Sequence, residues 1–393
     1  MKICMITTTY PRFEGDTAAP FIASIAEGVA ALGHSVDVVL PFHPKLQDKT
    51  RNGVNFHPYH VPGDQKDPLW GYAQSMEADV KVKKKAYLLA PLALHRTYWT
   101  AVALTRHNTY DLIHAHWVLP NGFPAALLAR RCKLPLTISL HGSDMFLAQK
   151  GGLLTRAALF AFRQARSITA CSPDLQGQAR KLSGKDVNLL EYGVDVNRFA
   201  PSDSATLRPR SIFAVGRLVY KKGFVQLLEA FSRVIKYYTN STLNIAGDGP
   251  LLQKLKDTAR KLGIESQVTI VGNIARDQLP ELYRSAEIVV VPSITDDSGN
   301  RDGLPNVFLE ALSSGCAVIA SDIPGMKNLI RNREAFMVSS GDVSQLSNAI
   351  LELFKNPSEI HRLRKAAREM AVKELSWTVR NHQLESLYKE ALR

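Results

Sequence analysis

What most constrains the fold of this chain is a rhythm. Short apolar runs rich in β-branched residues alternate with helical stretches along nearly all of its 393 residues. Lys2–Thr8, Ser35–Leu40, Leu112–Ala115, Leu136–Leu140 and Ser167–Ala170 read as strands, with Val54–Val61 and Val187–Leu190 as two more. Helices are expected at Phe21–Leu32, closed by Gly33, and at Pro120–Cys132, Leu153–Ala165 and Pro173–Leu182. A long helical region from Ala73 to Arg106 is expected to break near Pro91. Alternation of this kind with short turns predicts an α/β fold with a parallel, doubly wound sheet.

The rhythm pauses at FAPSDSATLRPR (199–210), a polar stretch with proline and no periodicity, and then restarts. Strands are expected at Ser211–Val215, Thr242–Ala246, Val268–Val271, Ile288–Val291 and Ala317–Ala320, and helices at Phe224–Tyr237, Leu251–Leu262, Leu279–Ser285 and Pro305–Ser314. The region from Val343 to Arg393 reads as helical. Residues 1–200 are therefore expected to form one Rossmann-like domain, 201–210 a linker and 211–375 a second such domain. Residues 376–393 form a last helix, for which crossing back to the first domain is one arrangement. The length suits two domains. Open α/β sheets bind ligands beyond the carboxyl ends of their strands.

Composition excludes several function classes. Hydrophobic residues at 45% and charged residues at 22% describe a globular protein with real cores. The net charge of +13 is shared between the halves: residues 1–205 hold 23 Lys+Arg and 16 Asp+Glu, and residues 206–393 hold 26 and 20. There is no basic tail of the kind that wraps nucleic acid, so no nucleic-acid partner is expected. Lys81, Lys83, Lys84 and Lys85, then Arg130, Arg131 and Lys133, are either solvated helix faces or a site of attraction to an anionic membrane or acceptor. Cys4, Cys132, Cys171 and Cys316 lack paired spacing and fit buried free thiols in a reducing compartment. Met1-Lys2 leads straight into a strand without a secretory leader pattern. A cytoplasmic location is expected, with the inner face of the cell membrane as a place for peripheral attachment. The most membrane-like stretch, Ala86 to Thr105, holds His95, Arg96 and Pro91 and reads as a helix packed on its domain.

Asp302-Gly-Leu-Pro-Asn-Val-Phe-Leu-Glu310 carries the most chemistry. Gly303 permits close backbone approach, and Pro305 suits a first helical turn, where its missing N–H costs nothing. The amides of Asn306, Val307 and Phe308 are then expected to point outward at the positive end of a helix dipole, a site for phosphate. Glu310, about one and a half turns in, can accept two ribose hydroxyls. Amides for a diphosphate beside a carboxylate for a ribose suggest a nucleotide-sugar site. Lys222-Gly223 at another helix start again places amides near phosphate.

His141 follows an apolar strand within His-Gly-Ser-Asp and is expected at the strand's C-terminal end. Asp144 can orient His141, accept a substrate hydroxyl or cap the following turn. His114 and His116 share one face of a strand, but no third ligand stands at useful spacing, so a strand-end or acceptor-side position is preferred to a metal. Asp296 and Asp297 are adjacent and do not form a metal-binding Asp-x-Asp. No strand is followed by Gly-x-Gly-x-x-Gly, which disfavours a nicotinamide dehydrogenase. No lysine is placed for a Schiff base.

The order and spacing of GHSVDVVLP (33–41), HAHW (114–117), SLHGSD (139–144), EYGVDVNRF (191–199), VGRLVYKKG (215–223), IAGDGP (245–250) and DGLPNVFLEALSSGCAVIAS (302–321) are specific in combination. The chain resembles retaining glycosyltransferases of the GT-B fold in the family 4 group, and within it the bacterial and archaeal members that build cell-surface polysaccharides, including teichuronic acid-type enzymes. The resemblance implies two facing Rossmann-like domains with a deep cleft that closes over substrate. It implies that Arg217 and Lys222 neutralise the donor diphosphate and that His141 contacts the donor sugar near the acceptor. Glu310 would hold the ribose, and Asp302 would stand where relatives carry Glu, against the donor sugar. Gly303, Leu304, Asn306, Val307, Gly216, Gly247 and Ile274 are the further donor-side candidates. Gly15 and Asp16 lie where most relatives carry a Gly-Gly loop, whose second glycine is absent here. His116 and Asp144 are the acceptor-side candidates.

The reaction implied is metal-independent transfer of a hexose-type sugar, with retention, from a nucleoside diphosphate sugar (UDP ahead of GDP) to a hydroxyl of a lipid-linked or polysaccharide acceptor. No cofactor is required beyond the nucleotide-sugar co-substrate. A nucleotide-sugar epimerase on the same fold, or a peripheral membrane scaffold with a decayed site, are the competing readings.

Overall fold

The computed structural model describes residues 1–13, 15–16, 18–65, 70–72, 76–78, 81–82, 84–202, 207–275, 277–295, 303–331 and 333–393. The chain divides into two compact units, Met1–Glu191 with Trp377–Arg393, and Tyr192–Ser376.

In the first unit the apolar runs pair as parallel strands. β1 (Lys2–Ile6) passes through α1 (Pro20–Ala31) to β2 (Ser35–Pro41), and a short antiparallel β3 (Thr50–Arg51) turns into β4 (Val54–Tyr59). A separate small hairpin, β5 (Met76–Ala78) and β6 (Lys81–Val82), precedes α2 (Lys84–His107). Then follow β7 (Leu112–His116), α3 (Phe123–Cys132), β8 (Leu136–Leu140), α4 (Ser143–Ala148), α5 (Gly152–Gln164), β9 (Ser167–Ala170), α6 (Pro173–Ser183) and β10 (Asn188–Leu189). The sheet order is β10-β9-β8-β7-β1-β2-β4-β3. The chain therefore winds outward from β1 in both directions, and the switch point lies between β1 and β7.

Two expectations are corrected here. The long helix begins at Lys84 rather than Ala73, because the hairpin occupies part of the preceding stretch. It also runs through Pro91 without a break. Pro91 is exposed and lies at the apolar cavity lined by this helix, and as a proline it donates no hydrogen bond to the preceding turn. Ala93, Thr97, Ala101 and Val102 bury one side of the helix against the unit. Among the described residues no helix is long and apolar enough to cross a membrane.

The second unit repeats the plan with β11 (Arg208–Val215), α7 (Phe224–Val234), β12 (Thr242–Ala246), α8 (Leu252–Lys261), β13 (Val268–Ile270), α9 (Leu279–Ser285) and β14 (Ala286–Val291). It continues through α10 (Asn306–Ser313), β15 (Ala317–Ser321), α11 (Pro324–Lys327), β16 (Phe336–Val338), α12 (Val343–Lys355) and α13 (Pro357–Met370). Its order, β13-β12-β11-β14-β15-β16, puts the switch point between β11 and β14. Side chains on β11 alternate between two cores: Ile212 and Ala214 pack with Phe231 and Leu353, while Phe213 packs with Tyr283 and Phe308 on the other face.

The last helix, α14 (Trp377–Ala391), belongs to the first unit. Leu384 and Tyr388 are buried there among Ile25, Val29 and Leu112. Arg380 pairs with Glu191 at 3.0 Å, and Asn381 donates to the Ser24 carbonyl at 3.1 Å. The two ends of the second unit meet: Val194 bridges Ser376, and its N–H donates to the Leu375 carbonyl at 2.8 Å.

Candidate active site

At the carboxyl ends of the strands in the second unit, loops are joined closely enough that only glycine fits. A Cβ on Gly247 (φ +142°) would lie 1.9 Å from the Gly216 carbonyl oxygen, and one on Gly223 (φ +69°) 1.8 Å from that of Pro292. Backbone hydrogen bonds complete the seams. Gly216 N–H donates to Ala246 at 3.0 Å, Leu218 N–H to Asp248 at 2.9 Å and Gly247 N–H to Gly272 at 2.7 Å. Ile294 N–H donates to Lys221 at 2.8 Å, which joins the segment after β14 to the loop after β11. Arg217 is exposed on that loop. Lys222 is half-buried, its Cδ and Cε 3.6 Å from the point where a Gly216 Cβ would stand. Gly223 then starts α7. Two cations and a helix N-terminus thus stand beside the switch point, an arrangement suited to a diphosphate.

The second component is α10. Pro305 caps this helix rather than entering its first turn, and Asn306 is the first helical residue. The amide of Phe308 donates to the Pro305 carbonyl at 3.0 Å, so it does not point outward as expected. A proline with extended ψ leaves its carbonyl placed to close that turn. Asn306 is exposed and Val307 half-buried, while Leu304 is buried. The Gly303 carbonyl oxygen abuts Gly325, where a Cβ would lie 1.5 Å away. Glu310 is half-buried and accepts a hydrogen bond from the Tyr283 hydroxyl at 3.0 Å. Tyr283 stands edge-on to Phe199 and Phe213, and burial, then the neighbouring Glu310 charge, pushes its pKa well up. It stays a hydrogen-bond donor. Ile274 packs against the same core. Asp302, like Asp296 and Asp297, lies outside the described residues.

In the first unit the loop after β1 carries Gly15 at φ +85° and Asp16. Asp16 accepts from Arg12 Nε at 2.6 Å, from a second guanidinium nitrogen at 2.9 Å and from the Arg12 amide at 2.8 Å. Burial raises its pKa, but these bonds outweigh it and hold the carboxyl at about 2. Asp16 therefore organises its own loop.

Beyond β7 and β8 the histidines gather. His116 Nδ1 and His141 Nε2 share a hydrogen bond at 3.1 Å, and His141 sits between Trp117 and Phe21 at ring distances of 4.8 and 4.9 Å. His114 uses both nitrogens internally, with Ser139 at 2.8 Å and the Tyr388 hydroxyl at 2.6 Å. Burial lowers the pKa of His116 to about 3, and burial followed by His116 lowers that of His141. Both rings are neutral at pH 7, able to hold a hydroxyl but not to supply positive charge. Asp144 is fully buried and accepts the amides of Val118 at 2.9 Å, His141 at 3.2 Å and Gly142 at 2.9 Å. Of the three roles open to it, this geometry is that of a turn anchor, holding the segments after β7 and β8 together.

Sequence reasoning missed Tyr283, Trp117 and Tyr388. Tyr283 and Tyr388 reach their partners from distant elements. Trp117 was legible only as the last residue of HAHW.

Two family models account for most of the chain: "Glycosyl transferase 4-like domain" matches residues 17–193 and "Glycosyl transferases group 1" residues 199–370. The chain is 26% identical to TuaC of Bacillus subtilis, a glycosyltransferase named for teichuronic acid biosynthesis, over 89% of this chain and 88% of that one. It is 30% identical to the GDP-mannose-dependent alpha-(1-6)-phosphatidylinositol monomannoside mannosyltransferase of Mycobacterium tuberculosis, over 65% of this chain and 70% of the relative. In fold it matches Anabaena HepE solved with UDP, with a TM-score of 0.73 and 18% identity over 99% of this chain and 100% of that one. With both Rossmann-like halves matched in order, the chain belongs to the family 4 type glycosyltransferases of the GT-B fold, enzymes that use nucleotide sugars as donors.

Proposed function

We propose that the protein is a retaining hexosyltransferase that takes its sugar from a nucleoside diphosphate, UDP before GDP, and gives it to a hydroxyl of a lipid-linked or polysaccharide acceptor. The observation that carries this reading is Glu310, in the middle of α10 and held by the Tyr283 hydroxyl, in the same unit as the Lys222–Gly216 seam. Glu310 holds the ribose hydroxyls, and Arg217 and Lys222 stabilise the charge that grows on the departing diphosphate. The first unit takes the acceptor near His141 and His116, with Asp144 positioning their turns. Gly15 and Asp16 shape the loop after β1, and Asp302 contacts the donor sugar. In the reaction the bond from C1 to the phosphate oxygen breaks as the acceptor oxygen attacks the same face, and the acceptor proton passes to the leaving phosphate. The charge work falls to protein cations and helix termini, with no metal step.

Incubation with UDP-, GDP- and ADP-sugars, following nucleoside diphosphate release and the anomeric configuration of the product, tests this directly. Glu310→Ala and Lys222→Ala are expected to lose at least 100-fold in kcat/KM with unchanged melting temperature, an interaction of about 3 kcal/mol each. Near-normal turnover in either variant overturns the donor assignment, and an inverted product overturns the retaining mechanism.

A further inference from the structure

A cavity of about 540 Å³ opens in the first unit, inside the roughly 300–1,000 Å³ range usual for ligand sites. Its walls are apolar and come from Ala90 and Leu94 of α2, Leu147 of α4, Leu154 and Ala157 of α5, and Phe123. None of the donor chemistry described above uses it. Its composition matches a hydrocarbon better than a sugar, since a saccharide needs several polar partners that these walls do not offer.

Two features say what kind of molecule fits. One end of the cavity reaches Thr8, Thr9 and Ser143 at the strand tips, and Trp117, whose ring packs on His141 at 4.8 Å. The cavity is thus continuous with the candidate acceptor position. At another point its wall includes Leu153, a leucine 81% exposed, with the exposed Phe146 on neighbouring α4.

The second feature is charge. Residues 84–164, which span α2 to α5, hold 10 Lys+Arg against two acids, Asp111 and the fully buried Asp144. The rest of residues 1–205 holds 13 Lys+Arg against 14 Asp+Glu. The basic excess of this half therefore falls in the stretch that contains the cavity-lining helices, with Arg96, Lys150 and Arg156 exposed on α2, just after α4 and on α5. An apolar slot among cations complements one long chain attached to an anionic phosphate.

We propose that this cavity holds the hydrocarbon chain of a lipid-linked acceptor, with its phosphate among the surrounding cations and its sugar hydroxyl toward His141. The inference rests on the reading of the first unit as the acceptor side, and it selects the lipid-linked acceptor over a free polysaccharide. Its probe is a series of n-alkyl phosphates from hexyl to dodecyl, kept below their micelle concentrations. Binding is read by titration calorimetry and by fluorescence of Trp70 and Trp117, which both line the cavity. Saturable one-site binding is expected, tightening about fourfold per methylene until the slot is full. A dodecyl phosphate brominated on its chain is expected to quench the tryptophans. Ala157→Trp, which fills the slot, and Leu147→Gln, which keeps its volume but adds a polar group, are each expected to weaken dodecyl phosphate at least tenfold. Both should keep wild-type melting temperature and nucleoside diphosphate affinity.

Affinity independent of chain length overturns the proposal, as does binding unchanged in both variants. Binding to phosphatidylglycerol vesicles without monomeric alkyl phosphate binding would assign the cations to surface attachment alone and also overturn it. Absence of nucleoside diphosphate binding by the wild-type protein, with chain-length-dependent alkyl phosphate binding intact, would instead overturn the donor-site reading and leave the cavity assignment standing.

Discussion

Tyr283 and Glu310 come from different helices, yet the hydroxyl of one meets the carboxylate of the other at 3.0 Å. On the proposed reading of Glu310 as the ribose ligand, a half-buried glutamate with one oxygen engaged has fewer rotamers to lose, so Tyr283 should raise donor affinity through Glu310. Tyr283→Phe removes a net interaction of about 1 kcal/mol. The donor KM should rise about fivefold with kcat little changed, as measured by initial rates over a donor series. Equal KM values would show that Glu310 is held by other contacts. Glu310 and Lys222 stand out in the sequence as candidates because each lies near a glycine or helix start, and Arg217 because it matches the basic pair of the family it resembles. Tyr283 does not, since a tyrosine on an amphipathic helix carries no mark of the partner that folding brings to it.

The neutral histidines give a second prediction at this scale. Above about pH 6.5, the ordinary histidine pKa, neither folded nor unfolded chain protonates His116, so it leaves stability unchanged. Below that value the unfolded chain takes up a proton that the folded chain refuses until about pH 3. Stability should fall with pH over this interval, by about 1.4 kcal/mol per pH unit for each histidine so held. His116→Gln should flatten that slope by one such unit in urea denaturation at pH 6 and pH 5. An unchanged slope would mean that His116 is protonated in the folded protein.

Among the elements, the strands were read most accurately. Leu136–Leu140 and Ser167–Ala170 occur where their apolar runs predict, because a strand buried on both faces must be apolar throughout. Errors fell where two signals compete. At α2, charged and apolar residues of the hairpin look helical, and Pro91 looks like a break although the helix runs through it. At α10, Pro305 serves as a cap instead of a first-turn residue. The glycines joining the loops show a constraint that sequence only hints at. Gly247→Ala forces a Cβ to 1.9 Å from the Gly216 carbonyl and places alanine at φ +142°. It should destabilise the second unit by about 3 kcal/mol or more and weaken nucleoside diphosphate binding through the shifted Lys222 loop. Calorimetric melting and titration with UDP measure both. An intact melting temperature would show that the seam can open at little cost.

For the whole molecule, the alternation of strand and helix declared two Rossmann-like halves, and both sheets show the order of winding that it implies. Crossing back of the last helix to the first domain was one arrangement the sequence allowed, but the partners it packs against were not readable. Leu384 and Tyr388 suit any apolar surface, and only the folded first unit offers the room beside α1 and the hydroxyl contact to His114. Residues 192–376 should fold alone, since their ends are already paired through Val194 and Ser376. They should melt cooperatively and bind UDP or GDP in calorimetry. The fragment 1–376 should lose stability in the first unit, where two large side chains would leave cavities worth several kcal/mol. Failure of 192–376 to give a cooperative melt would show that the second unit depends on the first.

That pairing of Val194 with Ser376 also makes the gene easy to cut. A cassette spliced at these two points carries the complete second sheet with its Arg217, Lys222 and Glu310, and leaves α14 attached to its own core. Chimaeras that exchange this cassette between relatives should keep the host's acceptor and acquire the guest's sugar nucleotide. A conventional fusion at a single point near residue 200 would instead import a foreign α14, and with it mismatched partners for Ile25, Val29 and His114.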